Sequence, residues 1–85
     1  MNVLIPSALR TYTERGYAEA SGSTLDEVLV DLDRQYPGIR FRMIDEQQQL
    51  RRHIRIFVNG VSAHALSQSM RPGDDVVIVQ ALSGG

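Results

Sequence analysis

The sequence predicts an α+β fold in which one main helix packs on one face of a small mixed sheet. Three observations carry this. The stretch "STLDEVLVDLDRQYPG" has the period of a helix, with a start signal at one end and a stop signal at the other. Short alternating or β-branched runs stand on both sides of it, "NVLI" and "YAEA" before and "IRIFV" and "VVIV" after. The chain has 85 residues, enough for one small domain. Such a domain buries only roughly 60–65% of the surface its unfolded chain exposes, so a single helix covering a single sheet face is the economical core.

Taken in order, "NVLIP" reads as a strand closed by Pro6, and "SALRTYTERG" as the connection of a hairpin. "YAEAS" alternates as a second strand, with Tyr17, Glu19 and Ser21 on one face and Ala18 and Ala20 on the other, until Gly22 breaks it. Thr24, followed three residues on by Glu27, predicts a capping box in which side chain and backbone satisfy each other's orphan donors. Asp26 and Glu27 suit the positive end of the helix dipole. Leu25, Val28, Leu29, Leu32 and Tyr36 form one apolar stripe, and Pro37 and Gly38 end it. "IRFRMIDEQQQLRRH" fits either a strand, by the alternation of Ile39, Phe41 and Met43, or a helical turn, and "DEQQQ" is polar enough for an exposed loop. "IRIFV" puts Ile54, Ile56 and Val58 on one face and Arg55 and Phe57 on the other, and Asn59-Gly60 follows as a tight turn. "VSAHALSQSM" is weakly patterned, "RPGD" is a second tight turn, and "VVIV" is a strand without a polar face, buried on both sides or docking a partner on one. An early strand pair, a crossing helix and a last strand returning to the sheet centre make a β-grasp, or ubiquitin-like, arrangement. Residues 1–80 are expected to form this one domain, and 81–85 a flexible C-terminal tail.

Composition narrows the functions. There are no cysteines, which removes disulfides, thiolate catalysis and Cys-based metal sites. His53 and His64 lack acids at ligand spacing and are read as structural or surface residues. All nine basic residues are arginines, set against ten acids for a net charge of −1, which is no electrostatic footprint for nucleic acid. The first twenty residues hold no sustained apolar run, so neither a signal peptide nor a membrane span is expected, and the chain reads as cytoplasmic. No nucleophile–base pair is visible, so the chain is expected not to be an enzyme by itself.

The chain closes on "DVVIVQALSGG", a strand running into two glycines. Glycine loses more backbone freedom on folding than any other residue, so such an end resists ordering. With "VLIPSALRTYTERG", "GSTLDEVLVDL", "YPGIRFRMID", "IFVNG" and "RPGDDVVIVQALSGG" in order, the whole chain resembles a ubiquitin-like sulfur carrier of the ThiS/MoaD family. The stretch from Tyr36 to Leu50 is more similar to the carriers of cysteine biosynthesis and thio-siderophore pathways than to the shorter thiamine type.

The resemblance implies a carrier protein whose terminal carboxylate an E1-like adenylating enzyme activates with ATP. A sulfur donor then makes the thiocarboxylate, which a sulfur-transfer or synthase enzyme empties into cysteine, methionine, a thio-siderophore or another metabolite. Carried over by position, Gly85 is the adenylated and sulfurated residue, Gly84 its required neighbour, and Ala81, Leu82 and Ser83 the recognised arm. Ser83 departs from the family's frequent Ala or Val. This chain would bind no cofactor, ATP being used by the partner, and would be a monomer when free. A metalloprotease enters if the precursor extends past Gly85. Two rivals share the adenylate: a protein modifier joined to target lysines, and the small subunit of molybdopterin synthase.

The arm also follows from physics. A carboxylate is a poor electrophile, and adenylation supplies a leaving group. Five extended residues reach about 16 Å from the sheet, and two glycines keep the chain thin where a partner's tunnel is narrowest. If Ile54, Ile56 and Val58 face the helix, Phe57 faces away, joined by Val77 and Val79 of the last strand. That apolar patch is either a partner-docking site or, for Phe57, a cover over the loop at 39–50. The absence of lysine would spare an activated carboxyl end from capture by side-chain amines, though an arginine-favouring genome explains it more simply. The runs "RFR" and "RRHIR" offer a face to an acidic partner, although scattered arginines on solvated faces are the commoner case.

Overall fold

Alternation decides which way each strand faces, and the strands assemble accordingly. The computed structural model describes residues 1–81. Strands β1 (Asn2–Leu4), β2 (Tyr17–Glu19), β3 (Ile54–Val58), β4 (Val61–Ala63) and β5 (Asp75–Gln80) form one sheet in the order β2-β1-β5-β3-β4. β1 and β5 run parallel and the other neighbours antiparallel, so the sheet is mixed and the last strand lies at its centre. This is the β-grasp arrangement. β1 and β2 pair as the expected hairpin, and their connection is partly helical: a 3-10 turn at Ser7–Leu9 leads into α1 (Arg10–Thr13). Leu9 is buried there, which gives the connection an anchor in the core.

Helix α2 (Leu25–Gln35) crosses one face and buries Leu25, Val28, Leu29 and Leu32. Against them stand Val3, Ala18, Ile54, Ile56, Val58, Val76 and Ile78 from the strands, all buried. The cap differs from the expected box by one residue. The Glu27 backbone N–H donates to the Thr24 hydroxyl (3.2 Å), but the Glu27 carboxylate accepts from the Ser23 N–H (2.8 Å), not from that of Thr24. Thr24 bridges antiparallel to Ser69, and the flanking bonds run from the Leu25 N–H to the Gln68 carbonyl and from the Met70 N–H to the Ser23 carbonyl. The first-turn N–H groups of Leu25 and Asp26 donate to the carbonyls of Gln68 and Leu66 (2.9 Å each). The segment after β4 therefore caps the helix with its backbone, satisfying donors that a helix start leaves open.

The ambiguous stretch resolves as a helical turn. α3 (Ile39–Met43) follows Gly38, whose φ is +99°, and buries Ile39 and Met43 one turn apart. Asp33 of α2 accepts the N–H groups of Gly38 and Arg40 (3.1 Å each), tying the two helices together. A strand through 39–43 would have placed Phe41 beside Ile39 and Met43; on the helix it is 55% exposed. Ile44 and Leu50 then bridge across the exposed "DEQQQ" loop. "VSAHALSQSM", weakly patterned in sequence, contributes β4, which the Asn59-Gly60 turn aligns by pairing Val58 with Val61. Asn59 (φ +51°) and Gly60 (φ +83°) both take the left-handed region that a two-residue hairpin needs.

Candidate functional site

The expected working end begins where β5 leaves the sheet. Gln80 pairs with Ile54, and the N–H of Ala81 donates to the His53 carbonyl (2.8 Å), so pairing continues through Ala81, the first residue of the expected arm. Leu82, Ser83, Gly84 and Gly85 lie outside the described residues. β5 is flanked by β1 and β3, which fixes its direction from both sides, and Val76 and Ile78 anchor it in the core.

The other three predicted site residues come together on the sheet face away from α2. Phe57 and Val77 are half-buried cross-strand partners, and Val79, 40% exposed, lies opposite Arg55. The strand at 76–79 is therefore buried on one face only. The half-buried side chains packed on the core are Met1, Tyr12, Tyr36, Leu50 and Leu66, and Phe57 stands apart from them. Register extends the patch to two residues that sequence reasoning missed. Leu4 pairs with Val77 on one side and Tyr17 on the other, so Tyr17, Leu4, Val77 and Phe57 form one apolar row across four strands. Leu4 is 44% and Tyr17 51% exposed, and the Arg15 guanidinium lies 5.6 Å from the Tyr17 ring centroid. The signal was available, since Val3 and Ile5 facing the helix turn Leu4 outward. It needed the β1–β5 register to join Leu4 to Val77.

Beside the end of β5 lies an open groove of about 310 Å³, lined by Phe41, Arg42, Arg51, His53, Ile54 and Gln80. The Arg51 guanidinium stacks 4.5 Å from the Phe41 ring centroid and donates to the Phe41 carbonyl (2.6 Å), which joins the 51–53 loop to α3. At the opposite end of β5 a polar brace fixes the strand's entry. Asn59 donates its side-chain amide to Asp74 (3.0 Å) and accepts the Asp75 N–H (2.9 Å), while Asp74 also accepts the Arg71 N–H (2.8 Å). The Asn59 hydrogen bond, followed by that of the Arg71 backbone, holds the Asp74 carboxyl below its ordinary value. The Asn of the tight turn thus has a second task, aligning the central strand. Among the described residues, no group of three or more His, Cys, Asp or Glu side chains is placed to hold a metal ion, and no helix is long and apolar enough to cross a membrane.

Comparison with known proteins agrees with this geometry. The chain is 35% identical over a 91-residue alignment to the sulfur carrier protein CysO of Mycobacterium tuberculosis, covering 100% of this chain and 98% of that protein. Its fold superposes on CysO in the crystal structure of the Amycolatopsis orientalis BexX/CysO complex with a TM-score of 0.89, at 33% identity and with 99% and 98% of the two chains covered. The solution structure of small archaeal modifier protein 1 from Methanosarcina acetivorans matches with a TM-score of 0.80 at 25% identity, covering 99% of this chain and 94% of that one. The ThiS family model matches residues 3–85, and the chain belongs to the ThiS family.

Proposed function

We propose that this chain is a sulfur carrier, a substrate of other enzymes, that takes part in cysteine biosynthesis or a related sulfur-delivering pathway. The observation that carries this is the end-to-end match to CysO, which spans 98% of that sulfur carrier's length. In the proposed cycle the Gly85 carboxylate attacks the α-phosphorus of ATP on an E1-like partner, forming an acyl-adenylate and releasing pyrophosphate. A sulfide equivalent attacks the acyl carbon and AMP leaves, which gives the thiocarboxylate. On a sulfur-transfer enzyme the thiocarboxylate sulfur then attacks the acceptor and displaces a leaving group there, and water cleaves the acyl–sulfur bond, which frees the sulfurated product and restores the Gly85 carboxylate for the next activation. The chain's own part is delivery: β5 lies at the centre of the sheet and ends at Gln80, the residues after it carry the carboxylate, and two glycines add no side chain at that end. ATP and catalytic groups belong to the partners. That CysO of Amycolatopsis orientalis crystallises in complex with BexX supports a carrier that docks as a folded body.

The test is the intact mass after incubation with the cognate adenylating enzyme, ATP and a sulfide source. The expected result is a gain equal to one oxygen replaced by sulfur, mapped to Gly85, and its loss in Gly85→Trp at unchanged melting temperature. Likeness to the archaeal modifier supports one second reading, conjugation to lysines. High-mass conjugates dependent on Gly85, with no thiocarboxylate, would replace the carrier by the modifier.

A further inference from the structure

The arginines are not spread evenly. Four of the nine, Arg42, Arg51, Arg52 and Arg55, line two open grooves around the 51–53 loop and the start of β3, together with both histidines. Neither lining contains an Asp or Glu. Among the described residues none of these four arginines makes an ion pair, whereas Arg34 and Arg40 pair with Asp31 and Asp26. Five of the ten acids, Glu19, Asp26, Glu27, Asp31 and Asp33, lie instead between residues 19 and 33. A chain of net charge −1 therefore carries a basic end, and one of its two grooves is lined by Gln80, the last residue of β5.

We propose that this basic collar is an electrostatic docking surface for the acidic rim of the protein pocket that receives the tail. Position argues for it first. Gln80 lines one groove together with Arg42 and Arg51, and Ala81 is bonded to His53, the neighbour of Arg52, so a protein drawing the next four residues into a buried site brings its rim against these arginines. Charge argues second: unpaired cations facing a partner of opposite sign accelerate encounter and fix orientation more than they add affinity. Shape selects a protein over a small anion. Arg42, Arg52 and Arg55 are exposed around open grooves, which suits a broad rim, and no enclosed cage of donors is formed. The overall negative charge disfavours a nucleic acid. The collar thus complements the apolar sheet row, with one steering the approach and the other seating the contact.

This inference rests on the carrier reading, and the experiment separates the two. Adenylation kinetics and equilibrium binding to the cognate adenylating enzyme are measured for the wild type, R42E/R52E and the equal-charge control R34E/R71E across a range of ionic strength. The Arg42 and Arg52 side chains make no hydrogen bond among the described residues, so R42E/R52E should fold normally. The collar predicts a KM raised about tenfold at low salt, with kcat kept and the gap closing as salt screens the charges. The control should match the wild type. If the wild type is adenylated and R42E/R52E shows an unchanged KM, or the control shifts equally, the collar is overturned and the carrier stands. Salt-dependent binding that R42E/R52E loses, without adenylation of any variant, would keep the collar and overturn the carrier. A wild type that neither binds nor reacts overturns both.

Discussion

At the residue scale, two positions have tasks that outweigh their chemistry in isolation. Gly22 ends β2's extension, and its backbone presses on α2. A Cβ there would meet the Glu27 Cβ and the Val28 nitrogen at 2.7 Å, and backbone cannot swing aside. Gly22→Ala should therefore cost about 1–3 kcal/mol, the usual penalty of overpacking, read as a lower urea midpoint at unchanged m. An unchanged midpoint would mean that the turn at 21–23 shifts freely. Asp74 carries a pH signature. Its carboxyl lies below its ordinary value of 3.8, mainly through the Asn59 hydrogen bond and then through the Arg71 backbone. A depressed folded-state pKa contributes stability that is present above the unfolded value and is lost as pH falls through the folded one. Asp74→Ala should lower the melting temperature near neutrality, and the difference from wild type should shrink well below pH 3.8. An equal difference at both pH values would assign the effect to the lost turn geometry.

Elements were legible where local chemistry and burial agree, and illegible where a distant strand decides. α2 could be read because Thr24, Glu27 and the Leu25–Leu32 stripe all point the same way. α3 could not, because five residues are too few for a period and its start is capped from elsewhere, by Asp33. β4 was hidden because only Ala63 of its three residues is buried, and the Asn59-Gly60 turn supplies its register. Asp33 is the point at which α3 can be tested. Removing its carboxylate in Asp33→Ala leaves the N–H groups of Gly38 and Arg40 without their acceptor and should cost roughly 1 kcal/mol, as lost helix caps do. Faster hydrogen exchange should be confined to residues 38–44, the element that presents Phe41 and Arg42 to the groove beside the end of β5. Uniform exchange at unchanged stability would mean that buried Ile39 and Met43 hold α3 by themselves.

For the whole molecule, the sheet is lopsided: one face is covered by α2, and the other carries an apolar row that crosses β5 at Val77. The sequence exposed part of this, since alternation put Phe57, Val77 and Val79 on one side. Leu4 and Tyr17 came only with the register, which joins strands far apart in the chain. A sheet face that is left to water is ordinarily polar. Here Tyr17, Leu4, Val77 and Phe57 are apolar across four strands, the pattern expected if this face docks a partner. Aromatic anchors dominate such surfaces, and truncating one at the centre of an interface commonly costs more than 1 kcal/mol. Phe57→Ala should therefore weaken binding to the cognate adenylating enzyme about tenfold, 1.4 kcal/mol by the usual conversion. It should lower the melting temperature only slightly, because Phe57 lies outside the set of side chains packed on the core. Tyr17→Ser, at the far end of the row, should weaken binding less. A large stability loss with unchanged affinity would make Phe57 a cover for the 39–50 segment and leave the basic collar and the tail as the means of docking.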